Sequence, residues 1–385
     1  MTGRRAVAAT AFCVGHARAE RWQQATESAL DQIGHIPPAA NLGFLYVSDR
    51  FAPASEGILE RVVETTGIND WVGSVGVGVL ATGIEYLDEP ALVMMVGALP
   101  KGEFQVFSGK SRPPPLGART PSGAEAAQFA IVHGDPETDD MPELIGDMSN
   151  KVASGYLVGG LSSSRTDAFQ FANEVLRGGL SGVVLSAHIG VATRLTQGCS
   201  PLRRDAGRGT LARHVVTEGE RNIIVALDDR PALDVLREDL GNLPEREFTH
   251  AVRIIHAGLP VPGSDTGDYL VRNLVGIDPA SKLIAIGAYV EPGMSIVFCR
   301  RDGASAREDL NRMLDSIAAE FDEPPKGGLY FSCLGRGEHL FGGRSAELGV
   351  IRDRLGDVPL AGFFCNGEIS HDRLYGYTGV LTLFR

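Results

Sequence analysis

Three stretches of this chain follow one grammar, and that repetition limits the fold more than any other feature, because a chain that repeats a supersecondary unit folds by packing copies of it together. In the first stretch the apolar run Leu42 to Val47 leads into Ile58, Leu59, Val62 and Val63 at helical spacing, then Trp71-Val72-Gly73, a glycine-rich continuation to Leu80, and Ala91 to Leu99. In the second, Phe129 to His133 precedes Met141, Leu144, Ile145 and Met148, then Gly155 to Gly160, the polar turn Ser162-Ser163-Ser164, and Gly182 to Ile189. In the third, Gly328 to Ser332 precedes Leu348, Ile351 and Leu355, then Ala361 to Phe364, the turn Asn366-Gly367-Glu368, and Thr378 to Phe384. Leu45 to Gly73 spans 28 residues, Ile131 to Gly159 again 28, and Tyr330 to Gly362 spans 32.

Each unit reads as strand, helix, strand, then a glycine-bearing turn and another strand, and the first crossover is long enough for a parallel βαβ connection. A glycine after the second strand marks backbone that bends with positive φ or is approached closely by another segment or a ligand. Two readings stay open: the glycines answer a packing or bulge requirement, or three equivalent turns line one cavity.

Between the second and third units the pattern changes. Arg221 to Leu227 alternates into Asp228-Asp229-Arg230-Pro231, and Leu233, Leu236 and Leu240 follow at helical spacing. Tyr269 to Val275, Lys282 to Tyr289 and Met294 to Arg300 read as short strands, followed by a helix through Leu310, Met313, Leu314 and Ile317. The expected architecture is α/β in the mixed α+β sense: two lobes built from repeated strand-helix-strand-strand units, with mixed sheets covered by helices. The boundary is expected in or just beyond Arg203 to Arg213, near residue 222, giving domains 1–222 and 223–385, with Pro113-Pro114-Pro115 as a connection inside the first.

Charge narrows the partners. Lys and Arg total 36 against 48 Asp and Glu, a net charge of -12, opposite in sign to what phosphate backbones select, so nucleic acid is not an expected partner. Cys13, Cys199, Cys299, Cys333 and Cys365 form no C-x-x-C pair, and of the nine histidines only His16, three residues after Cys13, lies near a cysteine, with no second such pair to complete a ligand set, so neither a metal nor a cofactor is implied and a reducing cytoplasm fits best. Arg4 and Arg5 before the apolar run Ala6 to Gly15 imitate a secretion signal. That run lacks leucine and leads into Trp22, Ala25, Ala29, Leu30 and Ile33 at helical spacing, which favours folded structure. Ala91 to Leu99 and Val183 to Leu195 are shorter than the roughly 18 residues a spanning helix needs, so no membrane partner is expected.

The chemistry-bearing residues gather in two runs. Phe331-Ser332-Cys333-Leu334-Gly335-Arg336-Gly337-Glu338-His339 takes a strand end through a glycine loop into a helix, a context that suits an anionic group held by the Arg336 fork and loop amides such as that of Gly337. It lacks the lysine of a P-loop and the third glycine of a dinucleotide fingerprint. A reading of equal weight pairs Arg336 with a structural acid such as Glu368. Cys333 beside Arg336 and His339 invites a nucleophile reading, against which stands the frequency of plain buried cysteines. Gly362 to Ile369 delivers Asn366 and Glu368 to a turn, and Arg336 with Glu368 would suit the two ends of a zwitterion. Ser162 and Ser163, on the equivalent turn of the second unit, complete the expected ligand-binding set of Cys333, Arg336, Gly337, His339, Asn366, Glu368, Ser162 and Ser163. No catalytic set is assigned, and an enzyme is the less favoured class.

At these residues the sequence resembles the FIST family, named for F-box and intracellular signal transduction proteins. The run from Arg230 to Leu314, FSCLGRG at Phe331 to Gly337 and GFFCNGEI at Gly362 to Ile369 resemble the C-terminal domain of that family, while Ala39 to Ile189, with VGG at Val158 to Gly160, is similar to its N-terminal domain. The resemblance implies a sensory, ligand-binding role in signal transduction. No F-box or kinase segment remains once both halves are assigned, so the expected protein is a stand-alone cytoplasmic sensor of an amino acid or organic acid, signalling through a separate protein. The alternatives are an enzyme with a Cys333 nucleophile and a non-catalytic scaffold. On this reading, removing Arg336 abolishes ligand binding and leaves the fold intact.

Overall fold

The computed structural model describes residues 12–109, 127–203, 211–261 and 269–385. The imitation secretion signal at Arg4-Arg5 and the Pro113 to Pro115 connection fall outside them. The fold is mixed α+β, with three six-stranded sheets and one eight-stranded sheet among the described residues. The chain divides into two compact units, residues 1–196 with 311–385, and residues 197–310.

The first unit holds the three six-stranded sheets, and all three share one strand order. The first sheet runs Phe12–Arg18, Ala91–Gly97, Leu42–Ser48, Asp70–Gly76, Gln170–Ala172, Val175–Leu176. The second runs Phe104–Phe107, Leu180–Leu185, Phe129–Gly134, Tyr156–Leu161, Glu368–His371, Arg373–Tyr375. The third runs Val191–Gln197, Thr378–Phe384, Gly327–Cys333, Leu360–Cys365, Gly78–Ala81, Ile84–Leu87. At the middle of each lies a parallel pair, joined by a crossover containing the helix Ser55–Thr66, Met141–Ser149 or Ala346–Leu355. The last two places in each sheet belong to a hairpin contributed by another segment: residues 170–176 complete the first sheet, 368–375 the second and 78–87 the third.

Burial follows from this layering. Residues of Leu42–Ser48 alternate, Leu42, Phe44 and Tyr46 packing into a central cluster and Leu45 and Val47 into a second cluster with the helix residues Ala25, Ala29, Ile58 and Val62. Phe129, Ile131, Leu329 and Phe331 reach the same central cluster from the other two sheets. A strand buried on both faces reads as a continuous apolar run, which is why these segments stand out in the sequence. At the centre Tyr46, His133 and Phe331, one from each parallel pair, meet with ring centroids 5.5, 6.2 and 6.1 Å apart. Each follows by one residue the register partner of Gly73, Gly159 or Gly362. Burial lowers the His133 pKa to about 3, so this ring is neutral, and its Nε2 meets the Tyr46 hydroxyl at 3.2 Å.

Those three glycines sit inside strands, opposite Leu45, Val132 and Tyr330. A Cβ at Gly73, Gly159 or Gly362 would lie 1.7, 1.8 and 1.8 Å from the carbonyl oxygen of its partner. The close approach that the sequence signals is therefore strand against strand. The turns beyond them do converge: the Ser163 amide donates to the Val75 carbonyl at 3.1 Å, its hydroxyl accepts from the Val77 amide at 2.9 Å and donates to the Phe364 carbonyl at 2.5 Å.

The second unit interrupts the third repeat of this pattern. Its strands follow the order Ser200–Pro201, Ser295–Arg300, Arg213–Glu220, Ile223–Leu227, Leu283–Ile286, Tyr269–Asp278, Ile255–Pro260, with Arg230–Pro231 pairing off this path on Ile223–Leu227, and the path returns on itself because Ile255–Pro260 also pairs with Ser295–Arg300. Its core gathers Val216, Ile224, Leu233, Leu236, Ile284 and Phe298.

Candidate functional site: the Arg336 centre

Arg336 follows the strand Gly327–Cys333 and is fully buried, as is Glu347 on the first turn of the helix Ala346–Leu355. A charge is brought out of water only where a partner and hydrogen bonds replace hydration. Here Arg336 Nε and Nη2 donate to Glu347 Oε1 at 2.8 and 2.6 Å, while Nη1 donates to the Tyr377 carbonyl at 3.4 Å. Glu347 also accepts from the Tyr330 hydroxyl at 2.6 Å, the Ser332 hydroxyl at 3.1 Å and the Gly337 amide at 3.4 Å. The structural acid is therefore Glu347 and not Glu368, and the Gly337 amide serves the same carboxylate.

Glu85 extends the centre. It stands on the hairpin that residues 78–87 contribute to the third sheet, and its Oε1 accepts from the backbone amides of Glu347 and Leu348 at 3.0 and 3.1 Å. Those amides open the helix and have no partner within it, and the helix dipole favours a carboxylate there. Burial, then the neighbouring Glu347, push the Glu85 pKa up to about 7 against the pull of the two amides.

Glu368 begins the strand Glu368–His371, opposite Gly160, and is fully buried. Its Oε2 accepts from the Thr378 amide at 3.0 Å and the Thr378 hydroxyl at 2.8 Å. Its Oε1 is buried beside the Cys333 thiol without a regular hydrogen bond. Burial raises its pKa to about 8 despite Thr378 and Arg336, so the group is mainly a neutral acid at pH 7. Burial, then Glu368, push the Cys333 thiol up to about 12, the reverse of an activated thiolate.

This acid yields a test of stability against pH. Its pKa in the unfolded chain is near the ordinary 4.5 and in the folded protein about 8, so between these values the folded state binds more protons and stability falls as pH rises. Glu368→Gln keeps an acceptor for Thr378 and cannot ionise. Thermal melts from pH 5 to 9 are expected to show the variant gaining on the wild type, by on the order of a few kcal/mol at the alkaline end. Parallel profiles would dismiss a buried neutral acid.

The expected ligand set thus separates. Cys333, Arg336, Gly337 and Glu368 belong to one buried centre. Ser163 ties converging turns as described, and Ser162 pairs with Ser74 hydroxyl to hydroxyl at 2.8 Å. His339 and Asn366 face outward. Sequence reasoning passed over Glu85, Tyr330, Glu347 and Thr378. Only Glu347, an acid on a first helical turn close to Arg336, carries a local signal. Beside the centre, Glu85, Leu87, Glu89, Glu338, Arg344 and Ser345 line a cavity of about 160 Å³. Arg344 pairs with Glu89 at its wall. Among the described residues no group of three or more His, Cys, Asp and Glu is placed to hold a metal ion, and no helix is long and apolar enough to cross a membrane.

Residues 41–230 match the FIST N domain and residues 232–371 the FIST C domain. An uncharacterized protein of Mycobacterium tuberculosis is 33% identical over 336 residues, covering 81% of this chain and 83% of its own length. An uncharacterized protein of Mycobacterium bovis is 30% identical over 387 residues, covering 94% of each.

Proposed function

Because the chain belongs to the FIST family, whose domains are generally sensory domains of signal transduction, we propose that it is a cytoplasmic sensor of a small amine-bearing metabolite, an amino acid first among them, and that it signals through a separate protein. The carrying observation is Glu85, which lines the cavity on one side and holds the opening amides of the helix Ala346–Leu355 on the other. A carboxylate poised near pH 7 in a cleft is the kind of group a binding site employs. The Arg336 guanidinium is occupied by Glu347, so it offers nothing to an organic anion. Among the wall's carboxylates Glu89 is paired with Arg18 and Arg344, so Glu85 and Glu338 are the ones that favour an ammonium group, while Arg344, its side chain 59% exposed, can share its fork with the carboxylate of a zwitterion.

Size limits the ligand. At ~30 Å³ per water in the liquid, the 160 Å³ cavity holds about five waters, the scale of a small amino acid or short diamine. An ammonium group there would draw Glu85 into its ionised form and alter its hold on the helix start, coupling occupancy to the helix Ala346–Leu355. No disulfide joins any of the five cysteines, which fits a reducing compartment.

A thermal-shift series tests this reading with glycine, alanine, serine and ethylenediamine against acetate, malonate and succinate. The amines are expected to raise Tm in proportion to the logarithm of concentration above Kd, more strongly at pH 8 than at pH 6. Glu85→Gln, which keeps an acceptor for the helix amides, is expected to erase the shift without unfolding the protein. Stabilisation by the organic acids alone, or an undiminished shift in Glu85→Gln, would overturn it.

A further inference from the structure

A second cleft, unconnected in its argument with the Arg336 centre, lies in the first compact unit. Its volume is about 570 Å³, within the range of roughly 300–1,000 Å³ typical of small-molecule sites. Gln128, Phe129, Tyr156, Ile189, Val191 and Arg194 are among its lining residues. Phe129 and Tyr156 are register partners on neighbouring parallel strands, and their rings stack at 6.0 Å with planes 13° apart. Beside these rings the aliphatic side chains of Ile189 and Val191 leave a lining suited to a flat apolar body, since aromatic faces favour offset stacking.

Two polar features orient such a body. The Gln128 side-chain amide makes no hydrogen bond among the described residues and supplies both a donor and an acceptor to the cleft. Arg194 pairs with Glu320, and Arg385 donates to the same Glu320 carboxylate at 3.0 Å and to its carbonyl at 2.8 Å. Two guanidinium groups thus share one carboxylate. Arg194 also donates from Nη1 to the Thr193 carbonyl at 2.7 Å and from Nε to the Ser316 hydroxyl at 3.5 Å; its side chain is 42% exposed, so an incoming anion can replace these partners while Glu320 retains Arg385.

From this combination we infer that the cleft binds a planar aromatic carboxylate, its ring against the Phe129–Tyr156 face and its acid group on Arg194. A neutral aromatic would forgo the guanidinium, and an aromatic amine would be repelled by it. The site differs in charge preference from the Glu85 cavity, so each can be tested without the other.

Saturation-transfer NMR and thermal shift with benzoate and indole-3-carboxylate, set beside benzyl alcohol and benzylamine, form the experiment. The two carboxylates are expected to bind, with ring protons receiving the strongest transfer, and benzylamine is expected not to. Arg194→Gln is expected to weaken the carboxylates at least tenfold and to remove their advantage over benzyl alcohol. Val191→Trp, which fills the cleft without altering a buried charge, is expected to block both carboxylates. Absence of binding at millimolar probe, equal binding of benzylamine, or binding unchanged in both Arg194→Gln and Val191→Trp would overturn the inference.

Discussion

Replacing Arg336 by alanine is expected to destabilise the protein by about 3–5 kcal/mol, because it strands the Glu347 carboxylate in the interior with its counter-charge gone. Against a total stability of about 5–15 kcal/mol, that loss leaves a chain that is barely folded. This reverses the simple reading of Arg336 as a ligand-holding residue whose removal would spare the apo fold. Denaturant titration measures the loss, and a companion variant separates charge from packing. Arg336→Met with Glu347→Gln removes both charges at similar volume and is expected to recover most of the stability, since a buried ion pair is often replaceable as a unit and rarely by halves. A folded Arg336→Ala protein with an unchanged denaturation midpoint would refute the centre described here.

The second large effect is expected at the three strand glycines. Gly73→Ala, Gly159→Ala and Gly362→Ala each place a methyl group within 1.8 Å of a backbone carbonyl oxygen on the neighbouring strand. A side chain can rotate away from such a clash, but a ladder-bonded carbonyl cannot, so the parallel pair must part. Losses of about 4 kcal/mol or more per substitution are expected, at the rare end of single-residue effects. Gly146, in the helix Met141–Ser149, supplies the control: a Cβ there meets nothing within 4 Å, and Gly146→Ala is expected to stabilise by about 0.5–1 kcal/mol. Circular dichroism melts of the four variants decide the matter, and a Gly159→Ala protein as stable as its parent would contradict the strand register.

These glycines also show how much of the fold could be read in advance. Intervals of 28, 28 and 32 residues located two of the three register pairs, Leu45 with Gly73 and Tyr330 with Gly362; the count from Ile131 falls one residue short of the true partner, Val132. The parallel strands were legible because burial on both faces leaves unbroken apolar runs. The strand Arg213–Glu220 was not, since it follows an Arg- and Gly-rich stretch and alternates exposed with buried positions in a segment that resembles a linker. The hairpins at 170–176 and 368–375 were equally hidden, because a short strand that pairs with a distant segment carries no local record of its partner. The same holds for the site. Arg336 and Cys333 stand out beside a glycine loop, whereas Glu85 lies 262 residues from the helix amide it holds, and nothing near it in the chain points there.

The circular exchange of hairpins among the three sheets bears on how the protein is made. The first sheet waits for residues 170–176, the second for 368–375, and the third for the early segment 78–87 together with Thr378–Phe384. A chain emerging from the ribosome therefore carries its early apolar strands with their edges open until residues 368–375 have been made. Until that hairpin arrives, chaperones would meet the chain as a long-lived nascent client, and fragments ending before residue 368 would be degraded rather than survive as working pieces.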